Sequence, residues 1–422
     1  MLQNPFYLFF TACLGLFFWA GYRRIFAEVP YRHSLWSFLG EECAPGQRRA
    51  IVRALLAGLP GDSGAMAWIL TMAALCLGGA GALFWYLVFS LLWLHPLGAL
   101  GGLGGYYQPG CGGRGELSAL LEGILCRKRA RARPGLGRLL RWLQTLALCG
   151  MLPLLFRILA SPSAPARGAG LLPWLVVLLA LWLLCRLVGE RGETVLSLLF
   201  LLLLAAALLG NLPNLIPAVK LVLLDAFDRS RFLFSLSGAG LAAALQAGGA
   251  AGCGGALLRT LSAREEGPSF AHPAQAAFYE ELRGLLQLTV QLALGLLFLC
   301  ARLVPEDNRW PQTCLWAFLC LFGLLWLGRA VRALARPEGR RCGLLCLGLV
   351  GAAAVWDIWK GTALLPGLSG GAAGLASLAL AGLLLFDSNW YFLLLEHYRD
   401  VHIWHVTPHP DLMQTEMERK NM

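Results

Sequence analysis

Leu59-Pro60-Gly61-Asp62-Ser63-Gly64 interrupts an apolar run that extends from about residue 54 to about residue 77. A second run, from about 233 to 258, is interrupted by Gly248-Gly249-Ala250-Ala251-Gly252-Cys253-Gly254-Gly255. A helix crossing a bilayer must pair every backbone N–H and C=O internally. A break is tolerated only where the freed backbone is buried in protein or lines a cavity. Two broken apolar segments in corresponding positions of two halves are the pattern that marks a transporter binding site.

The rest of the chain agrees with a membrane setting. It is 58% hydrophobic and 14% charged, with a mean hydropathy of +0.63. An apolar stretch of roughly 18 residues or more spans the hydrocarbon core as a helix. Eleven such stretches are predicted, at about 5–22, 54–77, 80–103, 139–160, 170–188, 194–211, 233–258, 278–302, 309–331, 342–359 and 365–386. The fold class expected is therefore all-α and polytopic.

The net charge of +11 is distributed as a membrane topology, not as a nucleic-acid footprint. With the N-terminus outside, 27 of the 35 Lys and Arg residues fall in cytoplasmic connections or the C-terminal tail. The positive-inside rule then gives N-out, C-in and an odd number of spans. The expected location is the inner (cell) membrane. The basic run 127–133 reads as a contact to anionic lipid headgroups. Segment 5–22 has no basic residue before it and is followed by Arg23-Arg24, so it reads as an N-out anchor.

Segments two to six and seven to eleven form two blocks of five, each opening with a broken helix. Their opening helices enter from opposite sides, so the blocks are inverted repeats. The expected organisation is an extra helix at 1–22, a first repeat at 51–211, an outer interfacial helix at 212–232, a second repeat at 233–386 and a cytoplasmic tail at 387–422. The outer helix is read from Asn211-Leu212-Pro213-Asn214-Leu215-Ile216-Pro217, because early prolines favour a helix start.

Leu77-Gly78-Gly79-Ala80-Gly81-Ala82-Leu83-Phe84-Trp85 resembles the Leu-Gly-Gly-Pro-Gly-Ala-x-Phe-Trp signature of the alanine/glycine:cation symporter family, with Ala80 in place of proline. Asn214-Leu215-Ile216-Pro217 followed by Asp225-Ala226-Phe227 is similar to that family's outer-helix segment. His272-Pro273 before segment eight and Val355-Trp356-Asp357 in segment ten fit as well. The resemblance covers about residues 5–395 in order and spacing. It implies eleven helices, a LeuT-type 5+5 inverted-repeat core with one extra N-terminal helix, and sodium-coupled uptake of a small neutral amino acid.

The chain departs from the family where the chemistry would be. The family's Gly-Thr-Gly-Asn falls on Gly64, Ala65, Met66 and Ala67, and its Phe-Ser-Asn-Glu-Ala-Gly falls on about Gly254 to Arg259. Its hydroxyl-rich ninth helix resembles Phe318 to Arg329, which has no hydroxyl side chain. The candidate substrate-binding residues are Gly61, Ser63, Gly64, Ala65, Gly252, Gly254 and Gly255, acting through backbone. Asp62 and Ala67 are the candidates for cation or proton coupling. Sodium is a hard cation expected to take oxygen ligands, as calcium and magnesium do. Free N–H groups at a half-helix start suit a carboxylate. Two readings stay open: a sodium:amino-acid symporter, or a relative that keeps the fold without sodium coupling and serves as a sensor, a partner subunit or a carrier of another substrate.

Asp62 would lie about 12 Å into segment two at the helical rise. An intramembrane carboxylate is functional by default, but Asp also caps a helix that starts after a Pro-Gly break. Asp357 and Lys360 read as a local i,i+3 pair, His95-Pro96 as a kink, and Trp85 and Trp326 as packing residues. Glu280, Glu281 and Arg283 are expected to end segment eight at the cytoplasmic face. The thirteen cysteines are scattered in apolar segments and suit helix packing. His397, His402, His405 and His409 in the tail have no intramembrane ligands to join them in a metal site. No phosphate loop, nucleophile elbow or zinc-protease helix occurs, so neither an enzyme nor a cofactor is expected.

Overall fold

The computed structural model describes residues 45–58, 70–72, 74–75, 78–107, 142, 145–146, 149, 183, 190–248, 273–301, 315, 317–322, 325 and 340–359. These residues are helical apart from short turns, with no strand among them. The main helices are α1 (Pro45–Gly58), α2 (Ala82–Tyr107), α3 (Glu190–Gly210), α4 (Leu212–Phe227), α5 (Phe232–Gly248), α6 (Pro273–Ala301) and α7 (Arg340–Trp359).

Among the described residues, Gly192–Gly210 and Gln275–Cys300 are long and apolar enough to cross a membrane. Their surfaces fit that setting. On α3, Leu196, Phe200, Leu204 and Ala207 form a buried stripe, while Val195, Leu198, Leu199, Leu202 and Leu209 are exposed. A helix that is apolar on all sides belongs in a large core or a lipid phase. α7 behaves alike: Cys346 and Val350 are buried while Leu344, Leu345, Leu349 and Val355 are exposed.

α2 packs most extensively against α6 and next against α5, while α1 lies against α3. The α2–α6 contact is possible because Gly102 has no side chain: a Cβ there would overlap the backbone of Ala276 and Ala277. Phe200 of α3 packs on Phe318 and Phe322, with ring centroids 6.0 and 5.0 Å away. A small cluster joins Cys149, Cys346 and Val350. These cysteines are free thiols serving as compact apolar groups.

α6 differs from the expectation at its start. The helix runs unbroken from Pro273, so Glu280, Glu281 and Arg283 stand inside it and not at its first residue. Tyr279 explains the extension. It is buried against Ile51, with Phe278 and Leu282 packed beside them, so the first turns of α6 hold α1 in place. Glu280 and Arg283 form an i,i+3 pair at 3.7 Å on this mostly buried surface. α2 includes His95-Pro96 within one helix, Ala82–Tyr107.

Candidate functional site

Gly61, Asp62, Ser63, Gly64, Ala65 and Ala67 of the first break lie outside the described residues, as do Gly252, Gly254 and Gly255 of the second. So do the basic run 127–133, Trp326, Lys360 and the four tail histidines. What is described are the neighbours in sequence of the two expected breaks: residues 70–75 after the first, with position 73 left out, and α5 before the second. Two polar arrangements stand among the described residues.

The first is centred on Asp225, near the end of α4. Residues 78–81 form a tight turn between the helical 70–75 stretch and α2, with Gly79 N–H donating to Leu75 O at 3.1 Å. Gly79 has φ +73°, a left-handed conformation that glycine adopts without cost. Gly81 N–H donates to Asp225 Oδ2 at 2.9 Å, and Arg231 Nη1 donates to Oδ1 at 3.0 Å. A Cβ on Gly81 would overlap the backbone of Asp225 and Ala226. The carboxylate is 8% exposed and the guanidinium 67%, so the anion is buried while its cation stays in solvent.

Aromatic rings close over this contact. Trp85 Nε1 donates to Ala226 O at 3.1 Å. The Trp85 ring meets Phe227 and Phe232 at 5.7 and 5.4 Å, both edge to face, which is the favourable geometry for such pairs. Ser235 Oγ on α5 donates to Asp225 O at 3.4 Å, and Gly78 lies against the Phe234 and Ser235 carbonyls. Trp85 is thus a packing residue, and Asp225 a structural carboxylate. The linking turn is stiffened by Asp228, which accepts from Ser230 N–H at 3.1 Å and Ser230 Oγ at 3.0 Å. These two bonds hold its pKa below the usual carboxylate value.

The second arrangement sits between α2, α6 and the 70–75 stretch. Tyr86 O–H donates to Gln291 Oε1 at 3.0 Å, and Thr71 Oγ1 donates to Gln291 O at 3.3 Å. Ser90, one turn along α2, is hydrogen-bonded to Tyr86. All four side chains are buried, Thr71, Tyr86 and Gln291 completely. Gln291 Nε2 has no hydrogen-bond partner among the described residues. Sequence reading passed over this cluster. The available signal was Gln291 itself, an amide inside an apolar helix, where polar side chains commonly bond across helices. Thr71 lies four residues beyond Ala67, so the cluster follows in sequence the stretch where the first break is expected.

Replacing Tyr86 with Phe removes the donor to Gln291 Oε1 and leaves a buried carbonyl unsatisfied. The expected cost is about 1–3 kcal/mol, read as a lowered midpoint in detergent thermal denaturation. A midpoint equal to wild type would mean that this hydrogen bond contributes nothing to the α2–α6 contact.

No protein-family model matches the chain, and no curated protein matches it in sequence.

Proposed function

We propose that this chain is a multi-pass inner-membrane protein with a LeuT-type 5+5 inverted-repeat core and one extra N-terminal helix. Its proposed work is secondary active transport: symport of a small neutral amino acid with sodium by alternating access. The observation that supports this reading best is the meeting of two stretches that resemble the symporter family. The 78–81 turn and Asp225-Ala226-Phe227 are 144 residues apart at the Gly81–Asp225 contact, yet they interlock through backbone, carboxylate and rings. Two resemblances found separately along the chain are parts of one structural unit.

In this reading the unwound backbone of the breaks holds the cargo. Backbone of Gly61, Ser63, Gly64, Ala65, Gly252, Gly254 and Gly255 is assigned to the substrate, with free N–H groups of a half-helix suited to its carboxylate, and Asp62 and Ala67 are assigned to cation coupling. Rocking of one helix bundle against the other moves the cargo across the membrane. The second reading, a relative without sodium coupling, is favoured by Ala65, Met66 and Ala67, where the family carries Thr, Gly and Asn.

Uptake of labelled alanine and glycine into proteoliposomes tests both. Symport predicts accumulation that needs an inward sodium gradient and disappears when the gradient is collapsed. Flux without sodium dependence selects the uncoupled relative. No flux of either amino acid overturns the transport proposal for these substrates. Asp62→Asn belongs in the same assay: unchanged uptake with an unchanged pH profile removes Asp62 from the mechanism.

A further inference from the structure

α4 is a helix with too little polar surface for water. Its inner stripe is Ala218, Val222, Asp225 and Ala226. Leu212, Ile216, Val219, Leu223 and Leu224 are all exposed, Ile216 to 77%. With Lys220 they line an open groove of about 590 Å³. These lining residues all belong to α4, and Lys220 is the only charged one among the described residues that line the groove.

An exposed apolar surface of this kind marks a contact with protein, lipid or ligand. Lys220 decides among them. An ammonium surrounded by leucine needs an anion once the groove is covered, since a lone buried charge is costly. A second copy of the chain seated groove to groove across a two-fold axis repeats the same patch. It would bring two lysines together in a low-dielectric interface, where like charges repel strongly. A phospholipid supplies both complements in one molecule. Its acyl chain covers the leucines, and its phosphate accepts a charge-assisted hydrogen bond from Lys220 Nζ.

We infer that the α4 groove binds an anionic phospholipid, with the phosphate on Lys220 and an acyl chain along Leu212, Ile216, Val219 and Leu223. The long stem of Lys220 lets the ammonium reach the headgroup level while its methylenes stay on the apolar surface. A helix placed this way lies in the membrane plane with its leucines in the acyl boundary. The inference rests on the membrane part of the proposed function and is independent of transport.

The test is native mass spectrometry of the purified full chain, delipidated and then titrated with phosphatidylglycerol or phosphatidylcholine of the same acyl chains. The expected result is preferential retention of phosphatidylglycerol. Lys220→Gln is expected to lower that retention about five-fold, the share of one lysine at an anionic surface. Lys220→Arg is expected to restore it, and phosphatidylcholine retention should not move. Equal retention of the two lipids by the wild type, or no effect of Lys220→Gln, overturns the inference. Efficient disulfide crosslinking of two copies through Ile216→Cys overturns it in favour of a protein partner. Alkaline washing of membranes separates the failures. A chain released by the wash fails the membrane reading itself, whereas a chain that stays and transports no amino acid leaves the lipid groove standing.

Discussion

Gly102→Ala is expected to destabilise the protein by about 3 kcal/mol, while Gly351→Ala on α7 leaves it unchanged or slightly more stable. The contrast comes from what each new methyl group would meet. At Gly102 it would overlap the backbone of Ala276 and Ala277 on α6, which has no rotamer to yield, so the two helices must separate. Overpacking costs about 1–3 kcal/mol, and a backbone obstacle belongs at the upper end. Helix propensity acts the other way by about 0.5–1 kcal/mol, too little to compensate. At Gly348 and Gly351 nothing lies within 4 Å, so propensity acts alone. Gly284→Ala provides the intermediate case, since its methyl would meet Leu94 Cδ1 at 2.6 Å, the end of a side chain that can turn. Denaturation midpoints in detergent should rank Gly102→Ala below Gly284→Ala, and Gly284→Ala below Gly351→Ala. If Gly102→Ala unfolds with Gly351→Ala, the close crossing of α2 and α6 is wrong.

That series also shows why the sequence was informative about elements and poor on register. Helical character was readable from apolar runs, and Gly192–Gly210 and Gln275–Cys300 are such runs observed as helices. The start of α4 was readable from Pro213, which has no N–H to leave unpaired in a first turn. Glycine was read less well, because consecutive glycines stand out and single ones do not. Gly81 and Gly102, each admitting a neighbouring backbone, carry the close contacts of the described framework. Hydropathy periodicity says which residues are apolar, but not which turn of one helix faces which turn of another. The bonds Gly81–Asp225 and Tyr86–Gln291 span 144 and 205 residues and have no local signature. The early start of α6 failed to show for a related reason. Glu280, Glu281 and Arg283 look like a polar boundary in one dimension, while Tyr279 beside them is buried on Ile51. For the site, the expectation from sequence is two breaks that are short of side-chain oxygens, at positions outside the described residues.

Asp225→Ala is expected to cost about 3 kcal/mol and to loosen α4 from the 78–81 turn. Three contributions can be separated. Removing the carboxylate leaves Gly81 N–H buried without its acceptor, and a hydrogen bond to a charged group is worth about 1.5–3 kcal/mol. It also removes the ion pair with Arg231, whose guanidinium is 67% exposed. Exposed pairs contribute about 0–1 kcal/mol, and the freed Arg231 can be hydrated. Truncation to a methyl group adds a small void beneath Gly79, whose Cβ position would be 2.9 Å from Asp225 Oδ2. Asp225→Asn should therefore fall between wild type and Asp225→Ala, at a cost of about 1 kcal/mol. Its amide oxygen still accepts from Gly81, while its NH₂ turned toward Arg231 is unfavourable. Arg231→Gln should cost about 1 kcal/mol at most, and salt should weaken this contribution more than the buried Gly81 bond. The order Asp225→Ala, then Asp225→Asn and Arg231→Gln, identifies the carboxylate as an acceptor for backbone first and a salt-bridge partner second. Equal losses for Arg231→Gln and Asp225→Ala would reverse that assignment. Because Trp85, Phe227 and Phe232 close over the same contact, loosening it should raise Trp85 exposure. Quenching of tryptophan fluorescence by a water-soluble quencher should therefore increase in Asp225→Ala and stay near wild type in Arg231→Gln.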